Sequence, residues 1–200
     1  MAIKYKLPKG WHEVTVPQLM QLEEIQADKS INNELSPALV RTYLILSMFT
    51  GFPYEHFEEM KISEAKKLAE KISFLSVYPS ENAVQYFWCS GYRWKVNFNI
   101  DNLTGGNVID HYELSKDPER VLQNCNKLLS LYCTPYKFMF FKKKMDEKKK
   151  AELLIKAPVQ VVYPLTVFFC KLYPLLLDSI KDYLRKQEKE MREMVEQATA

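Results

Sequence analysis

The stretch LTGGNVIDHYEL (Leu103–Leu114) holds the only paired glycines of the chain, Gly105 and Gly106, just ahead of Asp110 and His111. Two chemistries are available to such residues: main-chain N–H groups cradling a phosphate, and acid/base work by the Asp and His. The first needs G-x-G-x-x-G between strand and helix, or G-x-x-x-x-G-K-[ST], and LTGGN is neither. Thr104 instead stands where a helix cap belongs, so the glycines read as punctuation in a first turn. Asp110 and His111 are adjacent on that helix and point about 100° apart, which excludes a dyad between them.

The remaining reactive side chains form no local constellation. His12, His56 and His111 lack a second histidine at metal-ligand spacing, and each reads as a surface residue. No serine sits in a G-x-S-x-G elbow. Glu23-Glu24 and Glu58-Glu59 lie in amphipathic segments, where solvation accounts for them. Cys89, Cys125, Cys133 and Cys170 show no C-x-x-C spacing and read as small buried apolar residues in a reducing compartment. A non-enzyme is expected, with no catalytic, cofactor-binding or metal-binding residue.

Charge offers a different chemistry. Twenty-eight Lys and Arg against 25 Asp and Glu give a net charge of +3, too mild to demand a nucleic-acid partner. The excess is local, in FFKKKMDEKKKAE, which carries Lys142, Lys143, Lys144, Lys148, Lys149 and Lys150. Such a run is most often a solvated face; its functional reading is contact with phosphate or an acidic partner. YRWKVNF interleaves aromatic and basic residues, as single-strand binders do. Strict alternation, however, puts its aromatics on one face and its cations on the other, which suits a hairpin packed on a core.

The elements that position these residues are mostly helices. Thr15 and Gln18 form a capping box with Pro17 in the first turn, and Leu19, Leu22 and Ile25 follow at three-residue spacing. Ser36 caps a second helix that Pro37 starts and Gly51 stops. A third, in ISEAKKLAEKISFL, carries Ala65, Leu68, Ala69 and Ile72 on one stripe. The period then drops to two. QYFWCSGYRWKVNFNI reads as a β-hairpin turned at Ser90-Gly91, with Tyr92, Trp94, Val96 and Phe98 on one face.

VTVPQLMQL and LTGGNVIDHYEL share a pattern, as do LILSMFTGFPYEHF and LLSLYCTPYKFMF. This suggests a divergent duplication of a helical hairpin. APVQVVYPLTVFFC spans only 14 residues between Lys156 and Lys171, short of the roughly 20 a membrane-spanning helix needs, so a buried core helix is expected. Beyond it, Tyr173, Leu177, Ile180, Leu184, Gln187, Met191, Met194 and Ala198 alternate spacings of four and three. The weak end of that seam, Gln187, Met191, Met194 and Ala198, reads as a candidate partner-binding surface, with self-association one outcome.

The expected fold is mainly α (α+β): a helical bundle from a duplicated helical hairpin, one inserted β-hairpin and a long C-terminal helix. The expected units are an N-terminal helical unit (1–80), the hairpin with the second helical unit (81–141), and a lysine-rich linker with C-terminal helices (142–200). Together they form one compact domain with a projecting end.

LPKGWHEVTVPQLMQL, LILSMFTGFPYEHF, YRWKVNFNIDNLTGGNVIDHYEL and APVQVVYPLTVFF together resemble small virion and tail-assembly proteins of Bacteroides-type, crAss-like tailed phages. The resemblance covers most of residues 1–177. It departs at Asn107, where the second copy's pattern has glutamine. It implies a non-enzymatic role in particle assembly, as a structural component or an assembly chaperone. The implied partners are other virion or tail proteins and the implied location is the virion or host cytoplasm, with nucleic acid the less favoured partner and no membrane.

Overall fold

The computed structural model describes residues 5–80, 82–99, 103–117, 120–137 and 141–172. The protein is mainly helical, with one small four-stranded antiparallel sheet. Helix α1 (Val16–Ala27) begins at Thr15, whose N–H donates to Gln18 Oε1 at 2.9 Å. Helix α2 (Pro37–Thr50) has Pro37 in its first turn and ends at Gly51 in the left-handed region, φ 75°. Ser36 fills the N-cap position, yet its hydroxyl makes no cap hydrogen bond, so the capping expected of it is absent.

A short α3 (Tyr54–Glu58) and the amphipathic α4 (Ile62–Lys71) complete a first core around Leu19, Leu22, Leu46, Phe57 and Leu68. A Cβ at Gly51 would meet nothing within 4 Å, so Gly51→Ala isolates the backbone cost of positive φ. The expected loss is about 1 kcal/mol, read as a lower urea midpoint with an unchanged slope.

Strands β1 (Tyr86–Cys89) and β2 (Tyr92–Val96) form the expected hairpin. Ser90 and Gly91 both have positive φ, 52° and 77°, the geometry of a two-residue turn that matches strand twist. The hairpin is not alone. Strand β3 (Cys133–Lys137) pairs with β2, and β4 (Phe141–Lys142) pairs with β3, giving the order β1-β2-β3-β4. This corrects the reading of LLSLYCTPYKFMF as a second helical copy. Its first half is helix α6 (Val121–Tyr132), but Cys133 to Lys137 leave the helix because β2 offers them a ladder. The two similar segments therefore share helix starts but differ at their ends.

Helix α5 (Gly105–Ser115) precedes α6, and α7 (Glu147–Leu154) follows the sheet. A further helix, α8, runs through residues 159–172. The inner sheet face, Phe87, Cys89, Trp94, Val96 and Cys133, closes a second core with Leu128, Leu129, Leu165 and Phe169. Phe169 stacks on Tyr132 with ring centroids 3.6 Å apart.

The two cores interlock. Val16 of α1 belongs to the sheet-side core, and Val159 of α8 to the N-terminal one. Between them Val159 N–H donates to Val14 O at 2.8 Å, and Thr15 bridges Pro158. Among the described residues no helix is long and apolar enough to cross a membrane. The heptad positions from Tyr173 onward, with Gln187, Met191, Met194 and Ala198, lie outside the described residues.

Candidate functional site

The paired glycines occupy the first turn of α5. Asn107 N–H donates to Thr104 Oγ1 at 3.2 Å, and Thr104 N–H donates to Asn107 Oδ1 at 3.3 Å. Asn107 Nδ2 then reaches Glu147 Oε1 at 3.0 Å, joining the start of α5 to the start of α7. A helix-capping role accounts for the motif.

Asp110 and His111 diverge as their spacing requires. Asp110 is exposed, whereas His111 is 1% exposed, which corrects its reading as a surface residue. His111 Nδ1 and Tyr132 Oη share a 2.5 Å hydrogen bond. Burial pushes the His111 ring down to about 4, and burial raises both Tyr132 and the nearby Cys170. Burial thereby favours the neutral form of all three groups. His56 is half-buried, hydrogen-bonded to Tyr5 Oη at 2.8 Å and stacked on Phe52, so only His12 of the three sits at the surface. The cysteines are unpaired, with Cys89, Cys125 and Cys133 buried; burial pushes the Cys125 and Cys133 thiols up to about 12. No group of three or more His, Cys, Asp and Glu suited to a metal occurs among the described residues.

The lysine run disperses across several environments. Lys142 lies on β4 and points to the outer sheet face. Lys143 and Lys144 border a shallow recess with Tyr92, Met145 and Lys149. Lys148 stands on the opposite side of α7, on the rim of a groove. Lys149 Nζ pairs with Glu152 at 2.9 Å. Lys150 turns inward and donates to Ser130 O at 3.0 Å, where burial lowers its ammonium below the usual value. A helix turns consecutive residues by about 100°, so 148–150 cannot form one patch.

Two surfaces stand out. The first is a groove of about 620 Å³ between α5, α6 and α7. Leu114, Leu131, Ala151 and Ile155 make it apolar, and Asp110, Glu113, Glu147 and Glu152 give it an acidic rim broken by Lys127 and Lys148. Its walls are pinned: Asn126 Nδ2 donates to Ala151 O at 3.1 Å, beside the Lys150–Ser130 bond. The second is the outer face of the sheet, where Tyr86 and Trp88 are exposed beside Arg93. Period and spacing could not have found the groove, which exists only once three helices meet.

Compared with protein-family models, with curated proteins and with solved structures, the chain matches none of them.

Proposed function

We propose that this chain is a non-enzymatic binding protein that acts by holding another polypeptide, as an assembly component or assembly chaperone of a tailed phage does. The observation that carries the reading is the groove between α5, α6 and α7. An apolar floor with an acidic rim is the complement of an amphipathic helix whose apolar stripe is flanked by Lys and Arg. A preformed, pinned groove also loses little conformational entropy on binding. The phage setting rests on the resemblance, which names virion and tail proteins as partners. Gln187, Met191, Met194 and Ala198 remain part of the proposal as a second contact element, for a partner or another copy of the chain. A nucleic-acid role for Lys142, Lys143, Lys144, Lys148, Lys149 and Lys150 acting as one patch is less favoured, because the run disperses.

Cross-linking mass spectrometry on assembling particles tests this directly, because Lys127 and Lys148 put reactive amines on the groove rim. The expected result is cross-links from both lysines to one other chain. Replacing half-buried Leu114 and Leu131 by glutamate should cut recovery of that chain about tenfold or more, since each charge would be left unpaired against the partner's apolar stripe. Both leucines also pack against the sheet-side core, so the variant should melt lower than the parent, and recovery is compared at a temperature where circular dichroism shows it folded. Undiminished recovery with a refilled groove would sink the proposal.

A further inference from the structure

The outer face of the sheet is independent of the groove, and the reading below does not rest on the function just proposed. Register places Trp88, Arg93, Tyr136 and Lys142 in one row across the four strands, with Tyr86 and Lys95 beside it. Aromatic and cation therefore alternate, at a strand spacing of about 4.8 Å. The Arg93 guanidinium lies 4.3 Å from the Tyr86 ring centroid. Trp88 is 59% exposed, whereas Trp11 and Trp94 are buried. The inward residues Phe87, Cys89, Trp94, Val96, Cys133 and Pro135 are buried, and no outward position in the paired strands carries a carboxylate. An indole and two phenols left on a sheet face among cations are not needed by either core.

Flat π surfaces a few ångströms from cations match a strand whose bases are unstacked and whose phosphates run alongside. A duplex conceals its base faces, so it could use the cations but not Trp88. We propose that the outer face of the sheet binds single-stranded nucleic acid, with Trp88 and Tyr136 as stacking platforms and Arg93, Lys95 and Lys142 as phosphate contacts. Lys143 and Lys144, next along the chain from β4, extend the positive field beyond the face.

The test uses the full chain and a fluorescent oligothymidine of about 20 nucleotides, long enough to cover one site of this kind. Fluorescence anisotropy measures affinity, and quenching of tryptophan emission reports stacking on Trp88, the exposed indole. Binding is expected to quench emission, to weaken about tenfold or more in Trp88→Ala, and to recover largely in Trp88→Phe. A double reversal, Arg93→Glu with Lys95→Glu, should abolish it, and raising salt should weaken it steeply. A duplex of equal length should bind more weakly and leave emission unquenched. Because Trp88 is exposed, a melting curve should show Trp88→Ala to be folded. Four outcomes overturn the proposal: no binding at low salt; equal binding of duplex and single strand; binding unmoved by Trp88→Ala; or displacement of the oligonucleotide by polyglutamate at matching charge, which makes the face a site for acidic protein instead.

Discussion

Trp94→Ala should cost more stability than any other single truncation of the sheet. Trp94 is 0% exposed, stacks on Phe87 at 6.3 Å and donates its indole N–H to Cys89 O at 3.0 Å. It also stands opposite Pro135, where β3 joins the hairpin. Truncating a fully buried aromatic costs about 3–5 kcal/mol, because the cavity only partly collapses. At about 2–4 °C per kcal/mol for a domain of this size, the melting temperature should fall by roughly 6–20 °C. Trp94→Phe should recover part of the loss by refilling the space without restoring the hydrogen bond. Trp88→Ala is the matched comparison: same residue type, same hairpin, outward face, with an expected change of about 0.5 kcal/mol or less. If the two variants melt together, the inward and outward assignments of β1 and β2 are wrong.

Acid should destabilise the protein through His111. The unfolded ring titrates near 6.5, and burial pushes it down to about 4 in the folded state. Between those values the unfolded chain binds the proton and the folded chain refuses it, so stability rises with pH across this window. The contribution is fully present above about 6.5 and is lost as pH falls through about 4. The shift corresponds to about 3 kcal/mol at its limit. Tyr132, bonded to His111, and Cys170 beside it stay neutral throughout, since burial raises both. Urea midpoints measured from pH 7 down to pH 4 should fall steeply in the parent and less steeply in His111→Gln. The comparison rests on slope, because the variant also loses packing at every pH. Parallel slopes would mean that His111 stays charged when folded or is reached by water.

The helix starts were legible because caps are local chemistry: Thr15 with Gln18 and Thr104 with Asn107 each form within four residues. Ser90-Gly91 was legible for the same reason. What stayed hidden depended on partners distant in the chain. Cys133 to Lys137 continue an apolar, helix-like pattern and become a strand only because β2, some 40 residues earlier, accepts them. His111 was misplaced although its neighbours gave the clue: with Asn107, Val108, Leu114 and Ser115 it shares the inward stripe of α5. The outward direction of Arg93 and Lys95 followed from alternation within one strand. Placing Trp88 and Tyr136 in their row required the register of three strands, which alternation within one cannot supply. The groove lay further out of reach, since its floor comes from three helices and none of its residues is unusual alone.

The pairing of residues 11–15 with 158–160 has a consequence for synthesis. Trp11 O and Val14 O accept from Gln160 and Val159, about 145 residues downstream, a long loop to close. At ribosomal rates of about 5–20 residues per second, the first helices wait on the order of ten seconds for the segment that completes their core. During that interval the nascent amino-terminal portion presents an unfinished seam, and a chaperone or a ribosome-proximal factor is the natural shelter for it. A stalled or nonsense-truncated product ending before Pro158 would keep that seam open permanently, marking it for proteolysis although α1 to α4 are fully translated.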